Sequence, residues 1–254
     1  MKRINTKETL GFLAYRFSQM YDYLTEEIEK IRLNDILQQT DGYFLAYRNV
    51  RLIDDFIREG LNRLMFPTEE KLFHQLLVDL AVFVCKQIYG GGDKSCSEGL
   101  DLEFEKEGVK YIVTIKSGPN WANSGQIKNM KANFLKAKKI LRTNAPSRNI
   151  VAVCGCCYGR DNKPDKGEYL KLCGQRFWEF ISGSNNLYTD IIEPLGHKAR
   201  ERNEKFVEAY AQIINKFTIE FANDFCEDGK ISWVKLVKFN SSAEQPEKIK
   251  QRKK

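Results

Sequence analysis

Two neighbouring segments, LDLEFEK (100–106) and VKYIVTIK (109–116), carry acidic, hydroxyl and cationic side chains at alternating positions. Side chains on a strand alternate between faces. Asp101 and Glu103 therefore share a face of one strand, and Thr114 and Lys116 share a face of the next. A register that brings these faces together makes two carboxylates, a hydroxyl and an ammonium converge. Carboxylate oxygens suit Mg²⁺, which keeps most of its waters. Such an ion lowers the pKa of a bound water and stabilises charge on a phosphodiester under attack. A lysine beside it positions that water and offsets the phosphate charge. The bland reading is a pair of strands facing solvent, which Glu103, Glu105, Lys106 and Glu107 also fit.

The next segment, KSGPNWANSGQ (116–126), is a polar loop that leads into a helix. Helix N-termini bind phosphate through free backbone amides. Asn123, Ser124 and Gln126 stand at that start, and Lys128 and Lys131 extend the positive surface. Asn123 and Ser124 equally suit a helix cap, and the lysines a solvated face. Trp121 can stack on a sugar or base, or cover the sheet. Arg160 and Asp161 in CCYGRD can face nucleic acid or each other.

These residues need elements to position them. Leu10, Leu13, Phe17, Met20, Tyr21 and Leu24 recur at helical spacing, and so do Ile53, Phe56, Ile57, Leu61 and Leu64. Pro67 is expected to interrupt the second pattern. Thr68 then caps a third helix whose apolar run is Leu72 to Ile88. After Gly99 the texture alternates, with a turn signal at Gly108, and a β-hairpin is expected. A basic helix over about 124–141, a buried strand NIVAVCG and a short helix anchored by Phe177, Trp178 and Phe180 follow. A long helix spans about 201–225. This order predicts an α/β fold, a mixed sheet flanked by helices with helical additions at both ends. The division expected is a helical region 1–66, a core 67–160, a mainly helical region 161–240 packed on it, and a basic flexible tail 241–254.

The formal net charge of +7 favours polyanionic partners. No unbroken run of about 18 apolar residues is present, so no membrane partner is expected. The N-terminal stretch MKRINTKETLGFLAYRF lacks a continuous apolar run and does not read as a signal peptide, which predicts a cytoplasmic location. The seven cysteines are odd in number, and Cys156 adjoins Cys157. That suggests no disulfide framework, and Cys154, Cys156 and Cys157 read as small buried thiols at a strand end rather than zinc ligands. His74 reads as a satisfied, half-buried histidine, and His197 as a loop or cap residue. The Gly90–Ser95 stretch lacks phosphate-loop spacing.

The segment GLDLEFEKEGVKYIVTIKSGPNWANSGQ resembles the core of PmeII-like type II restriction endonucleases, within the PD-(D/E)XK nuclease superfamily. The likeness continues through AVCGCCYGRDNKPDKGEY and CGQRFWEFISGSNNLYTDIIEPLGHKA and covers about residues 65–225. It implies a restriction-endonuclease-like core, Mg²⁺, and phosphodiester hydrolysis by a homodimer on palindromic double-stranded DNA. Asp101 matches the first acidic position and Lys116 the lysine. Thr114 falls where the superfamily usually has Glu or Asp, which leaves the second metal ligand open. Glu103 is favoured by the face argument, with Glu70 and Asp79 as alternatives, and the Ile115 carbonyl is a further candidate. Asn120, Trp121, Asn123, Ser124, Lys128, Lys131 and Arg160 are the expected DNA contacts, and Gln126 is expected to support the scissile phosphate. Two other outcomes fit the same residues: a DNA-binding protein that has lost catalysis, and a repair or structure-specific nuclease.

Overall fold

A computed structural model describes residues 4–90, 97–144, 149–192 and 204–243. The chain divides into two units, one from residues 1–18 and 72–201, the other from residues 19–71 and 202–254. The helices Thr6–Lys30 (α1) and Ile53–Tyr89 (α4) each contribute to both.

The first unit is built on a four-stranded sheet whose strands lie side by side in chain order. Leu102–Lys106 (β1) and Val109–Lys116 (β2) form the expected antiparallel hairpin, with Lys106 opposite Val109. Its two-residue turn places Glu107 at φ 53° and Gly108 at φ 77°. Positive φ at both positions matches the right-handed twist of the flanking strands. Ile150–Cys156 (β3) then pairs parallel to β2, and Leu170–Cys173 (β4) parallel to β3. The sheet is therefore mixed, as its sequence pattern predicts. β4 is an addition to that pattern: four residues are too short to show a period.

Helix Ser124–Asn144 (α5) covers one face of the sheet, packing Met130, Phe134 and Ala137 on Ile112, Ala152 and Cys154. On the other face, Tyr89 of α4 and Phe180 of the helix Gln175–Ser182 (α6) stack around Phe104. A short helix, Leu187–Asp190 (α7), follows. Covered on both sides, β3 is buried at six of its seven positions. That is the pattern of a strand with helices on both faces. Gly155 belongs to it because a Cβ there would stand 2.2 Å from the Phe177 ring.

Pro67 does not interrupt the helix as expected: α4 runs through it. An interior proline removes one hydrogen bond and costs about 3 kcal/mol. Pro67 sits on an exposed position, while Leu61 and Met65 before it and Leu76 and Leu77 after it are buried. Burial of that stripe outweighs the lost bond. α4 is also the one described helix long and apolar enough to cross a membrane by length and composition. The 72–89 run reaches this despite Asp79 and Lys86. Leu80, Ala81 and Val84 are buried in the first unit, and Asp79 is ion-paired with Arg16.

In the second unit, Leu33–Gln38 (α2) and Gly42–Tyr47 (α3) join parts of α1 and α4 with Glu204–Phe225 (α8). A small hairpin, Cys226–Glu227 (β5) and Lys230–Ile231 (β6), leads to Trp233–Ser241 (α9). Gly60 lets α4 lie against Ile36, whose Cγ2 would be 2.3 Å from an added Cβ. The basic residues beyond 243 and most of the glycine-rich stretch lie outside the described residues.

Overpacking a filled core usually costs 1–3 kcal/mol. Gly155→Ala should lower the stability of the first unit by about 2 kcal/mol, read as an earlier midpoint in urea. An unchanged midpoint would mean that the Phe177 ring has room to retreat.

Candidate active site

Glu103 stands opposite Ile112, so Lys110, Ile112, Thr114 and Lys116 share its face. Parallel pairing extends this face in two rows, Thr114 beside Cys154 beside Lys171, and Lys116 beside Cys156 beside Cys173. Asp101 lies just before β1. Its N–H donates to the Val113 carbonyl at 2.9 Å, which draws the chain in at that point. The carboxylate Oδ2 accepts the Ile115 N–H at 2.6 Å and the Thr114 hydroxyl at 3.3 Å. Thr114 is 1% exposed, so its hydroxyl needs this acceptor. Among the described residues, Oδ1 of Asp101 accepts no hydrogen bond.

Lys116 is the last residue of β2, and its ammonium lies over the Trp121 ring, 4.9 Å from the centroid. A cation on an indole face gains about 0.5–2 kcal/mol, more as water is excluded. The loop between them is pinned along its length. Ser117 Oγ shares a hydrogen bond of 2.9 Å with His74 Nδ1, and the Ser117 carbonyl accepts the Tyr158 N–H at 3.0 Å. The Lys171 ammonium donates to the Pro119 carbonyl at 2.8 Å.

Two glycines permit this arrangement. A Cβ on Gly118 would stand 2.3 Å from the Tyr158 ring. Gly159, at φ 91°, leaves room for the Pro119 ring, whose Cδ would be 2.5 Å from a Cβ. The segments KSGPNW and CCYGRD, separate in sequence, thus form one interlocked piece.

Several expected site residues have other employment. Glu103 pairs with Lys110 at 3.2 Å. Lys110 is opposite Glu105, so the Glu103 carboxylate leans away from Asp101 rather than toward it. Gln126 Oε1 accepts the Asn123 N–H at 2.9 Å, while Asn123 Oδ1 accepts the Gln126 N–H at 3.0 Å. That reciprocal pair is a capping box at the start of α5. It uses the side-chain oxygen of Gln126, the acceptor half of the amide, while the Nε2 donor that a phosphate would need takes no part in the pair. Lys131 is ion-paired with Glu168. Asp79 meets Arg16 and Gln75 in the first unit, and Glu70 belongs to the second. Asn120, Ser124, Lys128 and Arg160 are exposed beside the loop or along α5, and Trp121 is half-buried. His74 is the satisfied, half-buried histidine expected, and His197 lies outside the described residues.

Asp161 turns inward. Burial would raise its carboxyl, but the Lys163 backbone N–H and the Lys166 and Lys171 ammonium groups outweigh this and hold it below the ordinary aspartate value. Its partnership with Lys171 lacked a sequence signal, because β4 itself lacked one.

Cys154, Cys156 and Cys157 are buried where β3 ends, as their sequence suggests, and Cys173 joins them. Burial pushes the Cys157 and Cys173 thiols up to about 12. Cys156 is pushed up as well, first by its hydrogen bond with Cys154 and then by burial. Cys154 is lowered, first by that same hydrogen bond and also by the Lys116 and Lys171 charges, against burial.

The family model of the type II restriction endonuclease EcoO109I matches residues 7–203. This chain belongs to that family. The match spans the hairpin, the pinned loop and the sheet behind them, and gives the EcoO109I-family chain a restriction-endonuclease role, a nuclease acting on DNA. Comparison with curated proteins gives no match.

A thiol whose folded pKa lies above its unfolded value adds stability below the unfolded pKa, near 8.5, and loses it as pH rises toward the folded one. The EcoO109I-family chain should therefore lose thermal stability between about pH 9 and 12, the window set by Cys157 and Cys173. Differential scanning calorimetry across that range checks this. A Cys157→Ala, Cys173→Ala variant with an undiminished slope would contradict it.

Proposed function

We propose that this chain hydrolyses phosphodiester bonds of duplex DNA at a short palindromic site, with Mg²⁺, as a homodimer in the cytoplasm. The reading rests on one observation: a carboxylate fixed by the Ile115 N–H at 2.6 Å, on a strand whose next residue is Lys116. The PmeII-like resemblance and its PD-(D/E)XK pattern agree with Asp101 and Lys116 in those places.

Asp101 suits Mg²⁺ because one carboxylate oxygen orients the group while the other stays open. Mg²⁺ beside a phosphate takes one or two protein carboxylates, with water and phosphate oxygens completing the octahedron. Among the described residues, no three Asp, Glu, His or Cys side chains are arranged to hold a metal ion. A hydrated ion on Asp101, with the Ile115 carbonyl as a further ligand, matches that sparse donor set better than a closed protein cage. When bound, the ion would acidify a water and stabilise charge on the phosphate. Lys116 orients the attacking water and neutralises the phosphate, held in place by the Trp121 ring. Thr114 keeps Asp101 aimed. For Glu103 to serve as a second ligand it must first leave Lys110. Exposed Asn120, Asn123, Ser124, Lys128 and Arg160 supply polar and cationic contacts to the backbone, an interaction that weakens with salt.

A second reading has support in the same geometry. The position usually acidic in the superfamily is Thr114, a buried hydroxyl that donates to Asp101. A DNA-binding chain without catalysis fits that substitution. Plasmid digestion with Mg²⁺ separates the readings: discrete bands support the site-specific nuclease, retention without cutting the binder, and a smear a repair or structure-specific enzyme.

Lys116→Ala should cut at least about 100-fold more slowly, the usual loss when one charge-stabilising donor is removed, with DNA retention kept. Near wild-type cutting by this variant would sink the assignment. Asp101→Ala should abolish cleavage, whereas Thr114→Ala keeps measurable activity. Equal, complete loss in both, with folding preserved, would put the hydroxyl or its water in the metal shell.

A further inference from the structure

We propose that Lys171 is a positioning residue for Lys116, acting through the loop that carries Trp121. This rests on the catalytic reading of Lys116 given above. Lys171 projects from β4 in the row of Thr114 and Cys154, and its side chain is only 18% exposed. A shielded ammonium needs partners. It finds two: the Pro119 carbonyl at 2.8 Å, and Asp161 Oδ2 at 3.7 Å. Asp161 is itself held by the Lys163 N–H at 2.9 Å and the Lys166 ammonium at 3.0 Å. The carboxylate fixes the ammonium, and the ammonium fixes a main-chain oxygen.

That oxygen belongs to the loop of the catalytic lysine. Pro119 lies three residues after Lys116 and two before Trp121, whose ring seats the Lys116 ammonium. Between Ser117, tied to His74 and Tyr158, and the capping box at Asn123, the Lys171 contact is the polar anchor described for the middle of the loop. The Pro119 ring against Gly159 adds only packing. Without the Lys171 ammonium the Pro119 carbonyl has no fixed donor, the indole ring shifts, and the Lys116 ammonium leaves the place where it faces the phosphate. Displacement of a reacting group by about 1 Å can cost on the order of 100-fold in rate.

The test is steady-state cleavage of plasmid DNA with Mg²⁺. Lys171→Met should lower kcat by roughly 10–100-fold with KM within about twofold of wild type, the mark of lost positioning rather than lost DNA binding. Lys171→Arg, which keeps a charged donor for the same carbonyl, should restore most of kcat. Trp121→Leu should lower kcat similarly, and the double variant Lys171→Met, Trp121→Leu should be little worse than the poorer single one, because the two act in series. A kcat for Lys171→Met within threefold of wild type, a rise in KM that accounts for the whole loss, or fully multiplicative effects would overturn the proposal. Should Lys171→Met not fold, Asp161→Asn carries the same test: a lower kcat at unchanged KM supports it, and an unchanged kcat overturns it. Lys116→Ala is run beside them. If that variant cuts normally, the catalytic reading fails; if it is inactive while Lys171→Met is normal, only the positioning role fails.

Discussion

A strand paired on both edges cannot easily move its last residue, and this constraint on β2 governs the site. One edge is held antiparallel by β1 and the other parallel by β3, up to Lys116 beside Cys156. Ile112, Val113, Thr114 and Ile115 are all buried, so the strand is fixed in translation and in facing. A one-residue slip would turn Thr114 and Lys116 to the α6 side and send Val113 and Ile115 to the α5 side. The Asp101 carboxylate reads out that register directly, since it bonds the backbone of Ile115 and the hydroxyl of Thr114.

Near this rigid centre, polar groups are admitted only with partners. Thr114 has Asp101, Ser117 has His74, and the Trp178 indole N–H donates to the Cys157 carbonyl at 2.9 Å. Toward the end of the face that carries Thr114 and Lys116, β3 and β4 contribute the thiols of Cys154, Cys156 and Cys173. A protonated thiol fills space like a small apolar group and makes only weak hydrogen bonds, so it adds little competing charge beside Asp101 and Lys116. Lys116 and Lys171, at the end of this face, are handled differently. Lys171 is tied to a carbonyl and a carboxylate, whereas Lys116 rests on an aromatic face. An aromatic face holds an ammonium in place without spending its N–H donors, which stay available to an incoming anion.

Much of this was legible in the sequence. Alternation marked β1 and β2, and the Glu-Gly turn set their pairing, which joins Asp101 to Thr114 and leaves Lys116 on the same face as Thr114. The contiguous apolar run of β3 and the basic helix α5 were equally visible. Glu103 shows where face arguments stop. Alternation correctly gives its side of the sheet, but it does not say where along that face a flexible glutamate leans, and this one reaches Lys110.

The harder cases share one physical cause: the same residue types serve binding and local structure. Asn123 and Gln126, three apart before an apolar-periodic segment, suit both a phosphate site and a capping box, and sequence spacing is identical for the two. In the folded chain their side-chain oxygens are bound to backbone N–H groups of the helix itself. The loop glycines posed the opposite difficulty. Gly118 and Gly159 read as generic turn residues, yet each is required by a ring from the other segment, Tyr158 for one and Pro119 for the other. A contact between segments about 40 residues apart leaves no periodic trace in a single sequence. It becomes visible only once parallel pairing of β2 with β3 sets the two loops side by side, where the Cys157 N–H donates to the Lys116 carbonyl at 2.9 Å. The bond that ends the sheet there also begins the interlock, so the fold and the placement of Lys116 are settled by the same few residues.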